Sequence, residues 1–468
     1  MVVPIDPTSA AFLFAENRQM PMHVGGLQLL KKPEGAPREY ARKLYESMSE
    51  SEEMAPLFLK RPTRGITTAG QWVWTQDDNF DLEYHFRHSA LPKPGRVREL
   101  LELCSRLHST RLARERPLWE AHLIEGLRDG RVALYTKMHH SLVDGISAMR
   151  LLQSVMTTDP DKRDMPPMWA KRPSAKAERV RDEAESSLTG IPLDAMRSAL
   201  GITADAAGLP AALIKTLKHG LQNETSALSL YAPRTMFNTT ITGSRRFAAE
   251  GWPIERLRAI GKASNTTLND VVLAMCSGAI RTYLIEHDAL PDAPLVSMVP
   301  VGLNAKRSQS AEAAGGNAVG AVMVKLGTDL NDPADRLASI HRSMKTGKKA
   351  LGSMSQLQIM AMSALGMAPS IVTPMLRLQG IIRPPFNLII SNVPGPRKPM
   401  YLNGARMTGT YPLSIPINGM ALNITCNSYA DDMDFGLTGC RRSVPHLQRL
   451  VTHLDDELGA LEKAAGVS

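Results

Sequence analysis

Cysteine is scarce in this 468-residue chain: four residues, Cys104, Cys276, Cys426 and Cys440, stand far apart and form no C-x-x-C pair. That excludes a disulfide framework and predicts buried free thiols in a reducing compartment. Aromatic residues make up only 5%. The N-terminus, MVVPIDPTSAAFLF, has no basic segment followed by a long apolar one, so no signal peptide is expected. No H-E-x-x-H and no G-x-S-x-G occurs, which removes the common zinc-hydrolase motif and the serine nucleophile elbow. Zinc-finger, homeodomain and RNA-recognition signatures are missing too, so no nucleic-acid partner is expected.

What is present is an ordinary globular composition, 43% hydrophobic and 22% charged, over a length that suits two or three domains. Methionine is frequent, with 25 residues. Its flexible thioether suits a site for varied apolar ligands, and equally fills irregular core space. The net charge is +9, which favours anionic partners such as a phospholipid surface or a phosphate-bearing molecule.

The most informative stretch is Arg131 to Met156. Val132, Leu134, Thr136 and Met138 alternate with their neighbours in a run of strand length. From Ile146 the apolar residues Ile146, Met149, Leu152 and Met156 fall at helical steps. Between strand and helix lies His139-His140-Ser141-Leu142-Val143-Asp144-Gly145. On residues alone three readings stay open. Asp144 caps the helix, Gly145 eases the turn and the histidines are core residues. Or the imidazoles and carboxylate bind a metal, although no third ligand lies nearby. Or a neutral imidazole acts as a general base, with Asp144 fixing local geometry.

Elsewhere, Asp6, Thr8 or Ser9 can cap a short helix through Phe12 and Phe14, and a strand is expected at Leu27–Leu30. His23 reads as structural. Helices are expected over 39–51 and 96–110, and strands at 72–74 and 121–124. Residues 159–187 are rich in proline and charge, as in an exposed linker. A second half begins near Asn238, with a strand at 241–249. Thr267-Leu268-Asn269-Asp270 has capping-box spacing ahead of a strongly apolar helix. Strands follow near 294–301, 319–326, 386–393, 418–429 and 433–438, and a last helix over 444–461. Residues 351–376 carry no charge but are broken by Pro369 and Pro374, which suits a tunnel lining or a bilayer surface better than a span. Arg342, Lys345, Lys348 and Lys349 precede them and can meet phosphates or simply face water.

The His-His-x-x-x-Asp-Gly run after a strand resembles the CoA-dependent acyltransferase superfamily. The run has companions in fixed order: P-M-H-V-G-G at 21–26, F-D-L-E-Y-H-F-R-H at 80–88, P-L-W-E at 117–120 and S-N-V-P-G-P at 391–396. That set resembles the bacterial wax ester synthase/acyl-CoA:diacylglycerol acyltransferase family, over residues 4 to 460. One departure is Pro300-Val301-Gly302, where the family continues to an arginine, so no role for that arginine carries over.

The resemblance implies an α/β fold of two chloramphenicol-acetyltransferase-like domains, each a mixed sheet with helices, meeting at a central tunnel. Residues 1–185 and 238–468 would be the two domains and 186–237 a helical linker. It implies O-acyl transfer from acyl-CoA to a long-chain alcohol or diacylglycerol, with acyl-CoA as a substrate and no resident cofactor or metal; the alternatives are a condensation-type acyltransferase with carrier-bound substrates and a non-catalytic lipid-binding protein of the same fold. His140 would be the base, with His139 and Asp144 shaping the loop. Asn269, Ser391 and Asn392 are candidate oxyanion or substrate contacts, with Gly145 and Asp270 beside them. The expected location is cytoplasmic, held peripherally at the inner membrane face or a lipid-inclusion surface; self-association is left open.

Overall fold

The computed structural model describes residues 3–50, 53–68, 70–171, 232–302, 319–352 and 383–467. The expected linker helices and nearly all of the uncharged 351–376 run lie outside the described residues.

The first half runs β1 (Val3–Pro4), α1 (Pro7–Ala15), β2 (His23–Lys31), α2 (Tyr40–Ser49), β3 (Lys60–Thr63), β4 (Val73–Gln76), α3 (Leu82–His85), β5 (Phe86–Ala90), α4 (Val97–Ser109), β6 (Trp119–Glu125), β7 (Val132–His139) and α5 (Gly145–Ser154). The second runs β8 (Arg245–Pro253), α6 (Ile254–Ala263), α7 (Leu268–Glu286), β9 (Val296–Gly302), β10 (Val319–Lys325), α8 (Pro333–Gly352), β11 (Leu388–Pro394), β12 (Tyr401–Leu402), β13 (Ala405–Leu413), β14 (Leu422–Tyr429), β15 (Asp432–Cys440) and α9 (Arg449–Ala465). The strand expected at 241–249 starts four residues later, because residues 238–244 are spent on turns and on contacts to residues 418, 419 and 440.

Two six-stranded mixed sheets result. One has the order β12-β13-β2-β7-β6-β5, the other β10-β9-β11-β14-β15-β8. A small sheet, β1-β4-β3, flanks the first. β12 and β13 come from the second half of the chain yet complete the first sheet, where β13 lies antiparallel to β2 from Arg406–Lys31 to Leu413–Gly25. The expected 238–468 domain therefore does not keep all of its strands. Local pattern predicts a strand; it does not say which sheet the strand joins.

The second core is organised by α7. Its apolar residues are buried almost all round, from Val271 to Leu284. Each such side chain contributes roughly 1.5–3 kcal/mol when fully buried. Among the described helices α7 alone is long and apolar enough to cross a membrane, but 72% of that window is buried in protein. All four cysteines are buried free thiols.

β13 also packs across the second sheet. There Asp434 on β15 accepts the Thr410 backbone N–H at 2.7 Å. Burial, helped by Asp432 and Glu250, pushes its carboxyl up to about 7 against the pull of that hydrogen bond. The folded state thus holds this proton more tightly than the unfolded chain does. The group's stabilisation is complete below its unfolded pKa of about 4 and is lost as pH rises through about 7. Over about pH 5 to 8 the loss is roughly 2–3 kcal/mol. Asp434→Asn keeps an acceptor oxygen and removes the titration. Calorimetric melting should show the wild type losing midpoint relative to the variant across that interval; parallel curves would contradict the assignment.

Candidate active site

β7 ends at His139, and the next six residues turn into α5. Two motif runs hold this turn by the backbone. The His139 N–H donates to the Leu118 carbonyl of P-L-W-E, and the His140 N–H to the Met22 carbonyl of P-M-H-V-G-G, each at 2.9 Å. Runs a hundred residues apart therefore serve one purpose: they supply acceptors to two consecutive N–H groups, which otherwise would be costly to bury.

The two imidazoles sit in different surroundings. His139 is fully buried. Its Nδ1 accepts the Ser141 N–H at 3.1 Å and lies 2.7 Å from the Ser141 hydroxyl. The proton of the neutral ring is thereby placed on Nε2, which faces Glu16 Oε1 at 3.7 Å. Burial first, then Arg114 and His140, push its pKa down to about 3. A ring held neutral so firmly, with one nitrogen already occupied, is a poor proton acceptor. His140 is only half-buried. Its ring stacks on Phe12 with centroids 4.2 Å apart and planes 17° apart. Its Nδ1 is buried with no hydrogen-bond partner among the described residues. Burial lowers its pKa, while its own backbone and Asp144 act in the raising direction.

Asp144 is the helix N-cap: its Oδ1 accepts the Ser147 N–H at 2.6 Å. Gly145 opens α5 outside the left-handed region, and a Cβ built there would meet nothing within 4 Å. The turn does not need a glycine, contrary to the conformational reading of that residue; a side chain there would enter open space.

In the second lobe Thr267 and Asp270 form the expected capping box, with Asp270 Oδ2 accepting the Thr267 N–H at 3.0 Å. The same oxygen lies 2.8 Å from His341 Nδ1. Asp270 is buried, whereas Asn269 is half-exposed. Ser391 and Asn392 lie on β11 beside Thr425 and Cys426 of β14, half-exposed. A polar chain links them to the first lobe. Thr425 Oγ1 meets the Ser414 hydroxyl at 2.7 Å, the Ser414 carbonyl lies 3.0 Å from His108 Nε2, and the His108 ring packs edge-on against His23, the ladder partner of His139. His23 is buried, its Nε2 bonded to the His108 carbonyl at 2.9 Å. The structural reading of that residue matches.

Sequence reasoning passed over Phe12, Glu16, Arg114 and Ser141. Glu16 is buried, accepts the Met22 N–H at 3.3 Å and pairs with Arg114 at 3.1 Å while facing His139. Nothing local marks it, because the side chains it meets, Arg114 and His139, are about a hundred residues away. Among the described residues no cluster of three His, Cys, Asp or Glu side chains could hold a metal ion.

Two family descriptions match the chain: "Wax ester synthase/diacylglycerol acyltransferase catalytic domain" over residues 5–272 and "WS/DGAT C-terminal domain" over 315–462. A Mycobacterium tuberculosis protein assigned as a diacylglycerol O-acyltransferase is 48% identical over 463 residues, 99% of this chain and all of that one. A Mycobacterium bovis protein with the same assignment is 47% identical over 461 residues, 98% and 99% of the two chains. The solved wax ester synthase/diacylglycerol acyltransferase from Marinobacter aquaeolei VT8 superposes with a TM-score of 0.77 at 40% identity, covering 99% and 100%. The first condensation domain of the CDA synthetase shares the fold at 15% identity, with a TM-score of 0.58 over 99% and 96% of the chains.

Proposed function

We propose that this chain, which belongs to the wax ester synthase/diacylglycerol acyltransferase family, moves a long-chain acyl group from acyl-CoA to the hydroxyl of a fatty alcohol or diacylglycerol, with His140 as general base. The observation that carries this is the contrast between the two imidazoles. One is locked neutral and fully buried, the other half-open with an Nδ1 that has no hydrogen-bond partner among the described residues.

The chemistry needs one base. An alcohol is a far weaker acid than a thiol, which titrates near 8.5. His140 takes the hydroxyl proton as the oxygen attacks the thioester carbonyl. The tetrahedral oxyanion collapses, the C–S bond breaks, and the CoA thiolate leaves and recovers the proton from the imidazolium. Asn269, Ser391, Asn392 or backbone N–H groups would donate to the oxyanion. His139 would hold the loop through Ser141, and Asp144 through the helix cap. Asp270, engaged on both sides by Thr267 and His341, would serve structure. The two substrates would enter a tunnel between the lobes from opposite mouths. The chain would work in the cytoplasm at a membrane or lipid-inclusion surface.

Product analysis tests the reading. Purified protein with palmitoyl-CoA should release CoA thiol and form wax ester with hexadecanol, or triacylglycerol with dioleoylglycerol. Thiol release without either ester would defeat it. Gly145→Ala provides a finer probe. Melting should be unchanged or raised, since replacing an unstrained glycine stabilises by about 0.4–1 kcal/mol. If the open space beside the turn admits substrate, the added methyl raises KM in the same assay; an unchanged KM would show that substrate does not pass there.

A further inference from the structure

α1 packs against the candidate base. Phe12 faces inward onto His140, while Phe14, two positions on, is 60% exposed. Beside Phe14 lies a turn over residues 64–68, tied to Gly70 by Arg64 Nε donating to its carbonyl at 2.7 Å. At its tip Ile66 is completely exposed. The Arg64 guanidinium covers the Phe14 ring at 5.1 Å and the Trp72 ring at 5.8 Å, and Phe14 and Trp72 meet edge-on at 6.2 Å. Arg114 lies on Trp72 at 5.5 Å and ties α1 down through the Leu13 carbonyl at 2.6 Å.

The two segments that build this patch, 7–15 and 60–76, contain Lys60, Arg61 and Arg64 and no acidic residue. A fully exposed isoleucine at a turn tip adds nothing to the fold. An aromatic pair under a guanidinium, with apolar residues standing proud of it, matches the chemistry of a lipid–water boundary. Apolar tips enter the acyl region, indole sits at headgroup depth, and arginine meets phosphate.

We propose that Phe14, Ile66, Trp72 and Arg64 dock the protein on an anionic phospholipid surface, on the helix whose Phe12 stacks on His140. A helix is about 10–12 Å across, so a water-insoluble acceptor would leave the lipid within one helix diameter of the base. The proposal rests on the acyl-transfer reading for its purpose, but its test does not depend on activity.

Vesicle co-sedimentation of the full chain decides it, using phosphatidylcholine with and without phosphatidylglycerol. The wild type should bind the mixed vesicles more tightly than the neutral ones. Ile66→Asp and Arg64→Glu should each weaken binding to the mixed vesicles about fivefold or more. Thiol release with a short acyl-CoA and a water-soluble alcohol should stay within about twofold of wild type for both variants, since neither residue touches the histidines. Unaltered vesicle binding in both variants, or no binding by the wild type, overturns the proposal. So does a change in sedimentation velocity that shows the patch covered by a second copy. If no ester forms with any alcohol, the acyl-transfer reading fails while the vesicle measurement still reports on the surface.

Discussion

His140→Ala should lower turnover by about 10²- to 10⁴-fold, the range a positioned base supplies, while the protein still melts cooperatively near the wild-type midpoint. The separation of the two effects follows from the site. No hydrogen bond joins the His140 ring to another described residue and it stacks on Phe12, so removing it costs about the 0.5–1.5 kcal/mol of an aromatic pair beyond its partial burial. His139→Ala makes the opposite comparison. That ring is fully buried and anchors Ser141, so its removal should show first as lost stability. The pH profile gives an independent reading. Burial sets the His140 pKa below the ordinary imidazole value of about 6.5. A base works when unprotonated, so the acid limb of kcat/KM should fall below that value, and the His140→Ala residue of activity should lose the limb. Near-normal turnover in the variant, or an unchanged limb, would take His140 out of the chemistry.

The sequence made some of this site visible and hid the rest for identifiable reasons. The strand ending at His139, the cap at Asp144 and the capping box at Thr267 and Asp270 were legible because each is a local rule, satisfied within a few residues. The motif runs P-M-H-V-G-G and P-L-W-E were legible as company but not as parts. Only the fold shows that their contribution at the site is a carbonyl each, from Met22 and Leu118, to the backbone of the histidine pair. Main-chain acceptors leave no mark in a side-chain pattern. Glu16 and Phe12 were hidden for the converse reason: their side chains matter, but their partners are distant in the chain. The glycine at 145 was read from conformational habit, and the backbone shows no such demand.

The least legible feature is the crossing of β13, and it sets the second large effect. Gly436→Val should destabilise the protein by roughly 4 kcal/mol or more and take acyl transfer with it. A Cβ at Gly436 would stand 1.9 Å from the Pro412 carbonyl oxygen and 3.2 Å from Phe247. The first neighbour is backbone, so no rotamer change relieves the overlap; β13 must lift off β15. That movement breaks the Thr410 hydrogen bond to Asp434 and loosens the pairing of Leu413 with Gly25. β2 is thus held on one edge by a strand from the other lobe and on the other by β7, whose His139 faces His23. Two residues past Pro412, Ser414 joins His108 to Thr425 and so spans the lobes. The site is therefore assembled through β13, and the close backbone approach at Gly436 controls it. Denaturant titration should show the lost stability. A temperature series on the variant should show turnover falling in step with the fraction unfolded. A variant that melts like the wild type would mean that the lobes are not locked by this contact.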